Sequence, residues 1–388
     1  MRILFLSTNY PPDIGPGALR SKSIIDALIE EGPSNLKIDV ITTMPNRYHS
    51  FRVFAKKDEI YRNVSIKRII LPIHKNGIID QIRSFISFSL KVKKLVSKKK
   101  YNIVVSTSSR LMTASLSAWI AKNTGSKLYL DIRDLFTDTM DDILFRSYLK
   151  MFMPIFRKLE KWTFNSADKI NIVSPGFLDH LKKISPTISP SVYTNGIDEE
   201  FIIENFSSNQ IRSVPLILYT GNIGGGQGLH KILPKAINEI KNIKFKIIGD
   251  GSAKKFLIDQ DLLQFTQNIE FLNPMPRKDL INEYQNADIL FIHLNDHKAF
   301  SKVLPSKIFE YAATGKPILA GISGYAAEFF SNHIKGSEVF NPCDVDSMKI
   351  SLQKLLKGPK IINRKDFCLQ FSRRNIMKKF ASDVLTLL

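Results

Sequence analysis

Residues Val303–Leu319 have the sequence VLPSKIFEYAATGKPIL, which predicts a short helix followed by a buried strand. Pro305 supplies a helical φ without needing a partner for a backbone N–H, and Ser306 can cap free amides, so the helix should begin here. Gly315 should end it about three turns later. Four apolar residues recur at helical spacing and should face a core: Ile308, Phe309, Ala312 and Ala313.

The polar face of this helix predicts a nucleotide site. Lys307 and Glu310 are three residues apart and share that face. Free N–H groups and a lysine at a helix start favour phosphate, whereas a carboxylate one turn deeper can accept hydrogen bonds from the two hydroxyls of a sugar. The alternative is a surface helix in which Lys307 and Glu310 form an ordinary ion pair.

The segment PSKIFEYAATGKPIL resembles the signature of family 4 retaining glycosyltransferases. The resemblance is strongest to bacterial O-antigen and capsule enzymes that transfer aminosugars such as N-acetylfucosamine, and weaker resemblance extends along nearly the whole chain. It implies the GT-B fold, in which two Rossmann-like domains face each other across a substrate cleft. It also implies that Pro305, Ser306 and Glu310 bind the donor nucleotide.

The pattern of apolar runs predicts the same architecture independently. Helical patterns separate most of these runs, as in doubly wound α/β domains. The strands predicted for the first half span residues 1–8, 37–44, 64–71, 101–107, 127–132 and 169–173. Those predicted for the second half span residues 215–222, 245–249, 269–272, 288–294, 317–321 and 338–340. We therefore expect two Rossmann-like domains in tandem, as the 388-residue length also favours.

The predicted domain boundary follows Asn195-Gly-Ile-Asp198, because residues 199–212 lose their apolar periodicity. Together with Phe201, this segment resembles the interdomain motif of the family. We assign residues 1–196 to an acceptor domain and residues 197–372 to a nucleotide-sugar donor domain. In such a fold, the last helix, within residues 373–388, would cross back onto the first domain.

A glycine-rich loop, Gly221-Asn-Ile-Gly-Gly-Gly-Gln-Gly228, lies between a predicted strand and a predicted helix, so its backbone can approach a diphosphate. The loop has neither the P-loop ending nor a nicotinamide-binding fingerprint. It resembles the family segment in which an arginine and a lysine neutralise the leaving diphosphate, but Asn222 and Gln227 occupy those positions. The implied donor residues are Asn222, Gly224 and Gln227, without either charge.

Lys302 stands where the family has the first glutamate of a pair, eight residues before Glu310. We predict that Lys302 and Lys307 replace the missing cations and stabilise the charge that develops on the departing diphosphate. The alternative for Lys302 is a solvated loop lysine. Gly249 and Met275 lie in turns that resemble the family loops around the nucleobase, although plain turns would need no ligand.

In the first half, Asp131-Ile-Arg-Asp134 resembles a D-x-R-D-L segment of the aminosugar branch. Asp131 and Asp134 could orient an acceptor hydroxyl, or they could form a buried ion network with the arginine between them. The loop at residues 10–17, with Gly15 and Gly17, resembles the first glycine-rich loop of the family, which closes over donor and acceptor.

No metal site is predicted. Asp138, Asp141 and Asp142 have a spacing that could suggest an acidic cluster, but the implied fold uses helix dipoles and lysines in place of a divalent ion. Cys343 and Cys368 lack the spacing of a metal site. The histidines at positions 49, 74, 293 and 297 lack a spacing that marks a general base, and solvated or core roles are favoured for each.

The net charge of +20 indicates an anionic partner, such as nucleic acid, acidic lipid or a sugar diphosphate, or else a protein that tolerates self-repulsion. Residues 83–100 contain seven basic and no acidic residues, interleaved with apolar ones, and residues 144–164 repeat the pattern. Such helices can lie on an anionic membrane, or they can be packed helices with solvated lysines. No nucleic-acid-binding module is found. No stretch has the roughly 20 apolar residues of a transmembrane helix, which favours a cytoplasmic or peripheral membrane protein.

The resemblance implies a retaining, metal-independent glycosyltransferase, and the nucleotide site and the charge predicted from the residues agree with it. It would move a hexose or acetamido-sugar from a UDP-sugar to a polyprenyl-diphosphate-linked glycan, in O-antigen, capsule or lipopolysaccharide synthesis at the inner face of the plasma membrane. The residues predicted to carry the chemistry are Glu310, Lys302, Lys307 and Asp134. The alternatives are a non-hydrolysing UDP-sugar 2-epimerase and a non-catalytic basic protein that binds membranes or nucleic acid.

Overall fold

The computed structural model describes residues 1–45, 53–72, 78–143, 148–204, 206, 212–259 and 268–388. His49 and His74, together with parts of residues 144–164 and 199–212, lie outside these ranges. The chain forms two compact units. The first contains the described residues up to Asn195 together with Arg374–Leu388, and the second contains the described residues of Gly196–Arg373.

The first unit is built on an eight-stranded sheet in the order β3-β4-β2-β1-β5-β6-β7-β8. Its strands are β1 (Arg2–Leu6), β2 (Lys37–Thr43), β3 (Asp58–Tyr61), β4 (Val64–Ile69), β5 (Ile103–Ser108), β6 (Lys127–Ile132), β7 (Lys169–Ile172) and β8 (Ser191–Val192). Only β3 is antiparallel to its neighbour. Its helices are α1 (Pro16–Glu31), α2 (Ile78–Val96), α3 (Leu111–Thr124), α4 (Phe136–Ile143), α5 (Met153–Asn165) and α6 (Leu178–Ile184).

The second unit is built on a six-stranded, wholly parallel sheet in the order β11-β10-β9-β12-β13-β14. Its strands are β9 (Leu216–Asn222), β10 (Lys244–Asp250), β11 (Ile269–Leu272), β12 (Ile289–His293), β13 (Ile318–Gly321) and β14 (Ser337–Phe340). Its helices are α7 (Glu199–Ile203), α8 (Leu229–Glu239), α9 (Lys254–Ile258), α10 (Arg277–Asn286), α11 (Lys307–Ala313), α12 (Tyr325–His333), α13 (Val345–Lys357) and α14 (Lys365–Gln370). The last helix, α15 (Arg373–Leu385), begins at the end of this unit.

Alternate residues of the second sheet face two separate cores, which explains why its strands are almost continuously apolar. Leu218 and Leu290 pack in one core with α11 and α12, whereas Ile217 and Phe291 pack in the other with α8 and α13. Because all of these strands are parallel, their carboxyl ends meet at one edge of the sheet. The predicted donor residues lie at these strand ends and in the loops and the helix that follow them.

The last helix packs against the first unit. Phe380 contacts Tyr129 of β6 edge to face, with ring centroids 5.0 Å apart. Asp383 accepts hydrogen bonds from Lys169 (2.6 Å) and from the Tyr129 hydroxyl (2.8 Å). These contacts tie the end of the chain to β6 and β7.

Each predicted strand is present, with ends that differ by no more than two residues. Sequence patterns missed β3 and β8. The first is a polar edge strand and the second has only two residues, so neither carries the apolar signal of a buried strand. Among the described residues, no helix is both long and apolar enough to cross a membrane.

Candidate functional site

The signature segment forms α11, which is shorter than predicted. Its helix covers Lys307–Ala313, about two turns, and Gly315 ends it with a left-handed φ of 72°. The expected cap by the Ser306 hydroxyl is wrong, because no capping bond forms. Ser306 already has helical angles (φ −61°, ψ −28°), whereas a capping side chain requires an extended residue.

Glu310 lies on α11 with its carboxylate held by two neighbouring side chains. Lys307 donates to its Oε2 at 2.6 Å, and the Tyr284 hydroxyl donates to the same atom at 3.2 Å. Lys307 also donates to Tyr284 (2.7 Å). The ion pair that sequence analysis offered as an alternative is therefore present. Within the described part of the chain, Oε1 accepts no hydrogen bond.

The electrostatic surroundings keep Glu310 ionised. Burial would raise its pKa, since its residue is only 8% exposed, but Lys307 and Arg277 lower that pKa to about 2. At neutral pH the carboxylate is therefore an acceptor only. An acceptor of this kind, with one oxygen already held in place, suits recognition of neighbouring hydroxyl groups.

Two buried tyrosines link Glu310 to the central strand of the second sheet. Thr220 of β9 shares its hydroxyl with Tyr284 (2.9 Å) and Tyr311 (3.0 Å), and its N–H donates to the Tyr311 hydroxyl (2.9 Å). Both tyrosines are fully buried. Sequence reasoning missed this network because Tyr284 lies 26 residues before Glu310, and no periodicity connects them.

The predicted boundary segment contributes a second group beside this network. Asp198 pairs with both Arg277 and Arg373, and the Arg277 guanidinium lies over the Phe201 ring at 4.8 Å. Both arginines contribute to the low pKa of Glu310. The segment therefore fixes two positive charges near the carboxylate, a role that sequence analysis did not foresee.

The glycine-rich loop brings Asn222, Gly224 and Gln227 together. The Gln227 side-chain oxygen accepts hydrogen bonds from the Asn222 amide (2.7 Å) and from the Gly224 N–H (3.2 Å). The two residues that stand in place of the family's cations therefore bond to each other. Gly249 lies beside this loop, where an added Cβ would fall 1.8 Å from the Gly221 carbonyl oxygen. Only glycine permits this approach of β9 to β10.

The remaining donor-side predictions occupy loops at the same sheet edge. Lys254 joins the end of β10 to the turn after β11 by donating to the Gly249 carbonyl and to the Asn273 side chain, both at 2.9 Å. Met275 packs against the core that contains α11. Lys302 ends the short 3₁₀ helix Lys298–Lys302 and is half-buried, as is Pro305.

In the first unit, Asp131 belongs to a buried ion network. It is 0% exposed and accepts hydrogen bonds from Arg20 (2.7 and 2.8 Å), Thr107 (2.6 Å) and Asn171 (2.7 Å). Burial would raise the pKa of Asp131, but the Arg20 guanidinium outweighs it and holds that pKa below its usual range. Of the two roles that the sequence left open for Asp131, the buried ion network is the one present in the structure. The network's arginine is Arg20 rather than the expected Arg133.

Asp134 is exposed just beyond the end of β6. Arg133, beside it, packs against the first glycine-rich loop, where a Cβ on Gly17 would fall 2.5 Å from the guanidinium. Gly15 immediately precedes α1 with a φ of 132°, and its carbonyl accepts hydrogen bonds from two N–H groups of the first turn of that helix. The structure thus brings the loop and the acidic segment together.

The acidic residues after Asp134 bind to basic partners. Asp138 lies 3.0 Å from His180, and Asp141 lies 2.6 Å from Arg157. Within the described ranges, no cluster of three or more His, Cys, Asp or Glu residues is arranged to hold a metal ion.

Residues 201–370 match the family model described as glycosyl transferases group 1. That stretch contains the glycine-rich loop, the Glu310 network and α14. No curated protein sequence matches the chain.

Solved structures resemble the whole chain at low sequence identity. Sucrose-phosphate synthase from Thermosynechococcus elongatus is 15% identical with a TM-score of 0.77, over 100% of this chain and 98% of that one. HepE from Anabaena, solved with UDP-glucose, is 13% identical with a TM-score of 0.67, over 100% of both chains. WaaG, a glycosyltransferase of lipopolysaccharide biosynthesis, is 14% identical with a TM-score of 0.64, over 98% of this chain and 95% of that one. The chain therefore has the fold of GT-B glycosyltransferases, and its residues 201–370 are similar in sequence to the group 1 family.

Proposed function

We propose that this protein is a retaining glycosyltransferase that uses a UDP-sugar as donor. The observation that supports this most is Glu310, an ionised and largely buried carboxylate in a segment that matches the group 1 family. Lys307 and Tyr284 hold only Oε2 of this carboxylate, which leaves Oε1 as an acceptor for a ligand, whereas both oxygens of Asp131 are bonded within the protein. HepE, which shares the fold, was solved with UDP-glucose.

The donor would lie along the carboxyl edge of the second sheet. In this proposal Glu310 accepts hydrogen bonds from the ribose hydroxyls through Oε1, while Lys307 keeps Oε2 in place. Pro305, Ser306, Asn222, Gly224 and Gln227 surround the diphosphate, and Gly249 and Met275 flank the uracil.

Transfer would proceed without a protein nucleophile or a metal ion. The acceptor hydroxyl attacks the anomeric carbon from the side of the leaving group, and the departing phosphate oxygen takes its proton. Lys302 and Lys307 stabilise the negative charge on the departing diphosphate. Asp134, which is exposed, orients the acceptor, whereas Asp131 positions β6 and the α1 helix through Arg20.

We further propose a lipid-linked glycan as acceptor, with the first unit resting on an anionic membrane. On α2, the apolar side chains of Ile82, Ile86 and Leu90 follow each other at four-residue spacing and are 54%, 51% and 62% exposed. The opposite side of α2 is buried through Phe88 and Val92, so the exposed stripe is not needed for folding. The transferred sugar in this proposal is an acetamido-deoxyhexose, and the product belongs to a surface polysaccharide.

Thermal unfolding with a panel of nucleotide sugars tests the donor. A UDP-sugar at a hundred times its Kd should add about 2.7 kcal/mol of stability.

Glu310→Gln should raise the donor KM and lower kcat, whereas Glu328→Gln, which alters an exposed carboxylate of the same unit, should change neither. An unchanged kcat/KM in Glu310→Gln would show that Glu310 does not bind the donor ribose. Formation of an epimer from donor alone would favour the epimerase instead.

A further inference from the structure

Three consecutive carbonyl groups of the glycine-rich loop are hydrogen-bonded to residues at the end of β12. The Gly225 carbonyl accepts from the Asn295 side-chain amide (2.7 Å), and the Gly226 carbonyl accepts from the Asn295 N–H (2.9 Å). The Gln227 carbonyl lies 2.6 Å from His293 Nδ1. The loop after β9 is thus attached to one neighbouring strand end at three successive positions.

The bonding partners of His293 determine which ring nitrogen carries the proton. Nε2 accepts a hydrogen bond from the Cys343 N–H at 3.0 Å, so the proton must lie on Nδ1, where it is donated to Gln227. The ring is only 1% exposed, and burial lowers its pKa to about 4. His293 therefore donates to the loop as a neutral imidazole.

The loop and the β12 end are also packed without space between them. A Cβ on Gly228 would lie 3.1 Å from the Asn295 Cα and 3.2 Å from His293 Cε1. Asn295 is 4% exposed, and its Oδ1 accepts the N–H of Asp296, which fixes the orientation of the amide. Both side chains are thus held in the orientation that the loop requires.

We propose that His293 and Asn295 are positioning residues for the donor diphosphate. This inference rests on the proposed function. Their hydrogen bonds turn three carbonyl dipoles toward β12 and away from an anionic ligand, to which those dipoles would be repulsive. The need is greater here than in a loop with arginine and lysine, because Asn222 and Gln227 supply no charge to offset a misplaced carbonyl.

Asn295→Asp is the sharpest test, since the carboxylate keeps the Oδ1 bond to Asp296 but replaces the donor to Gly225 with an acceptor. We expect the Kd for UDP to rise about tenfold, while the Kd for uridine, which lacks phosphates, stays unchanged. Asn332→Asp makes the same charge change at an exposed position of the same unit and should bind UDP like the unaltered protein. If Asn295→Asp does not fold, Asn295→Leu provides the same comparison.

His293 is tested by a pair of substitutions. His293→Leu removes the donor and should weaken UDP binding about tenfold, with a larger effect on donor KM than on kcat. His293→Asn retains an N–H donor near the position of Nδ1 and should recover most of the affinity. A role limited to stability would lower the melting temperature of both variants but leave the ratio of UDP to uridine affinity unchanged.

The possible failures are distinguishable. If the unaltered protein does not bind UDP, the proposed function is wrong and this inference is wrong with it. If it binds UDP and the folded Asn295 and His293 variants bind equally well, only the positioning role is overturned.

Discussion

The Lys307–Glu310 pair is the residue-level feature on which the proposed function depends most. Each side chain is partly or largely buried, and removal of Lys307 would leave Glu310 with a single hydrogen-bonding neighbour, Tyr284. Because a buried carboxylate without its cation is costly, Lys307→Met should raise the pKa of Glu310 and destabilise the fold by about 2 kcal/mol.

A double-mutant cycle isolates the interaction. Adding Glu310→Gln to Lys307→Met should recover part of the loss, with a coupling energy of about 1 to 3 kcal/mol measured by urea unfolding. Additive effects of the two substitutions would show that the pair is not coupled in the folded protein.

His293 predicts a specific dependence of stability on acidity. Its pKa in the folded protein is about 4, below the ordinary value of 6.5, mainly because the ring is buried. Lys231 and His230 lower this pKa further. Asp296 and the hydrogen bond to Gln227 raise it. Between these two values the unfolded chain binds the proton more readily. The stabilising contribution of the neutral ring is therefore complete above about pH 6.5 and is lost as the pH falls toward 4.

The measurement is unfolding by urea at pH 7 and at pH 4. His293→Asn lacks the imidazole whose pKa differs between the folded and unfolded states, so it should lose less stability than the unaltered protein, by up to about 3 kcal/mol. Equal losses in both proteins would mean that His293 is already protonated in the fold or remains accessible to solvent.

Sequence could predict Lys307 and Glu310 as neighbours because helical spacing alone brings them together. It could not predict Tyr284 or Arg277, since their approach depends on how α10 packs beside α11. For Ser306, sequence analysis predicted a capping hydrogen bond that does not form. Its residue type favours a cap, but its backbone angles are already helical.

At the scale of elements, the pairing of β9 with β10 depends on Gly249, which lies opposite Gly221. Gly249→Ala would place a Cβ against the Gly221 carbonyl, and neither backbone can move without breaking the register of the two strands. We expect a loss of at least about 3 kcal/mol in the free energy of unfolding.

Gly225→Ala is the matched comparison within the neighbouring loop. Nothing lies within 4 Å of the added Cβ, and the backbone there does not have a positive φ, so stability should change by less than about 0.5 kcal/mol. Similar melting temperatures for the two variants would contradict the observed approach of β9 to β10.

Strands were easier to predict than the loops between them. A strand buried on both faces must be apolar along its whole length, and that signal is local. The support of the glycine-rich loop by β12 is not local, because His293 lies 66 residues beyond Gln227. Sequence analysis therefore assigned His293 only a solvated or core role, and the core part of that expectation matches its burial without revealing its contacts.

At the scale of the whole molecule, chain length and the alternation of apolar runs predicted two α/β units, and the net charge suggested an anionic partner without indicating which surface would bind it. The net charge of +20 is spread over many elements. The fold determines which of these elements expose apolar residues beside their basic ones. In α2 it buries Phe88 and Val92 and leaves Ile82, Ile86 and Leu90 outside, next to the exposed Arg83 and Lys94.

This surface predicts binding to anionic vesicles. Each lysine or arginine near such a membrane contributes about 1 kcal/mol, and each buried aliphatic side chain adds roughly 2 kcal/mol. Combined replacement of Ile82, Ile86 and Leu90 by serine should therefore reduce sedimentation with phosphatidylglycerol vesicles by more than about tenfold. High salt should weaken binding of the unaltered protein, because screening acts on the basic residues.

The second unit offers a control with a similar loss of exposed apolar surface. Ile202, Ile203 and Leu369 are exposed there, and their replacement by serine should leave vesicle binding unchanged. Equal reductions in the two triple variants would indicate general hydrophobic adsorption, and no reduction in either would leave charge alone as the cause. Only selective loss in the α2 variant would support a membrane-facing α2, because that outcome requires the apolar stripe and its basic flanks to act together.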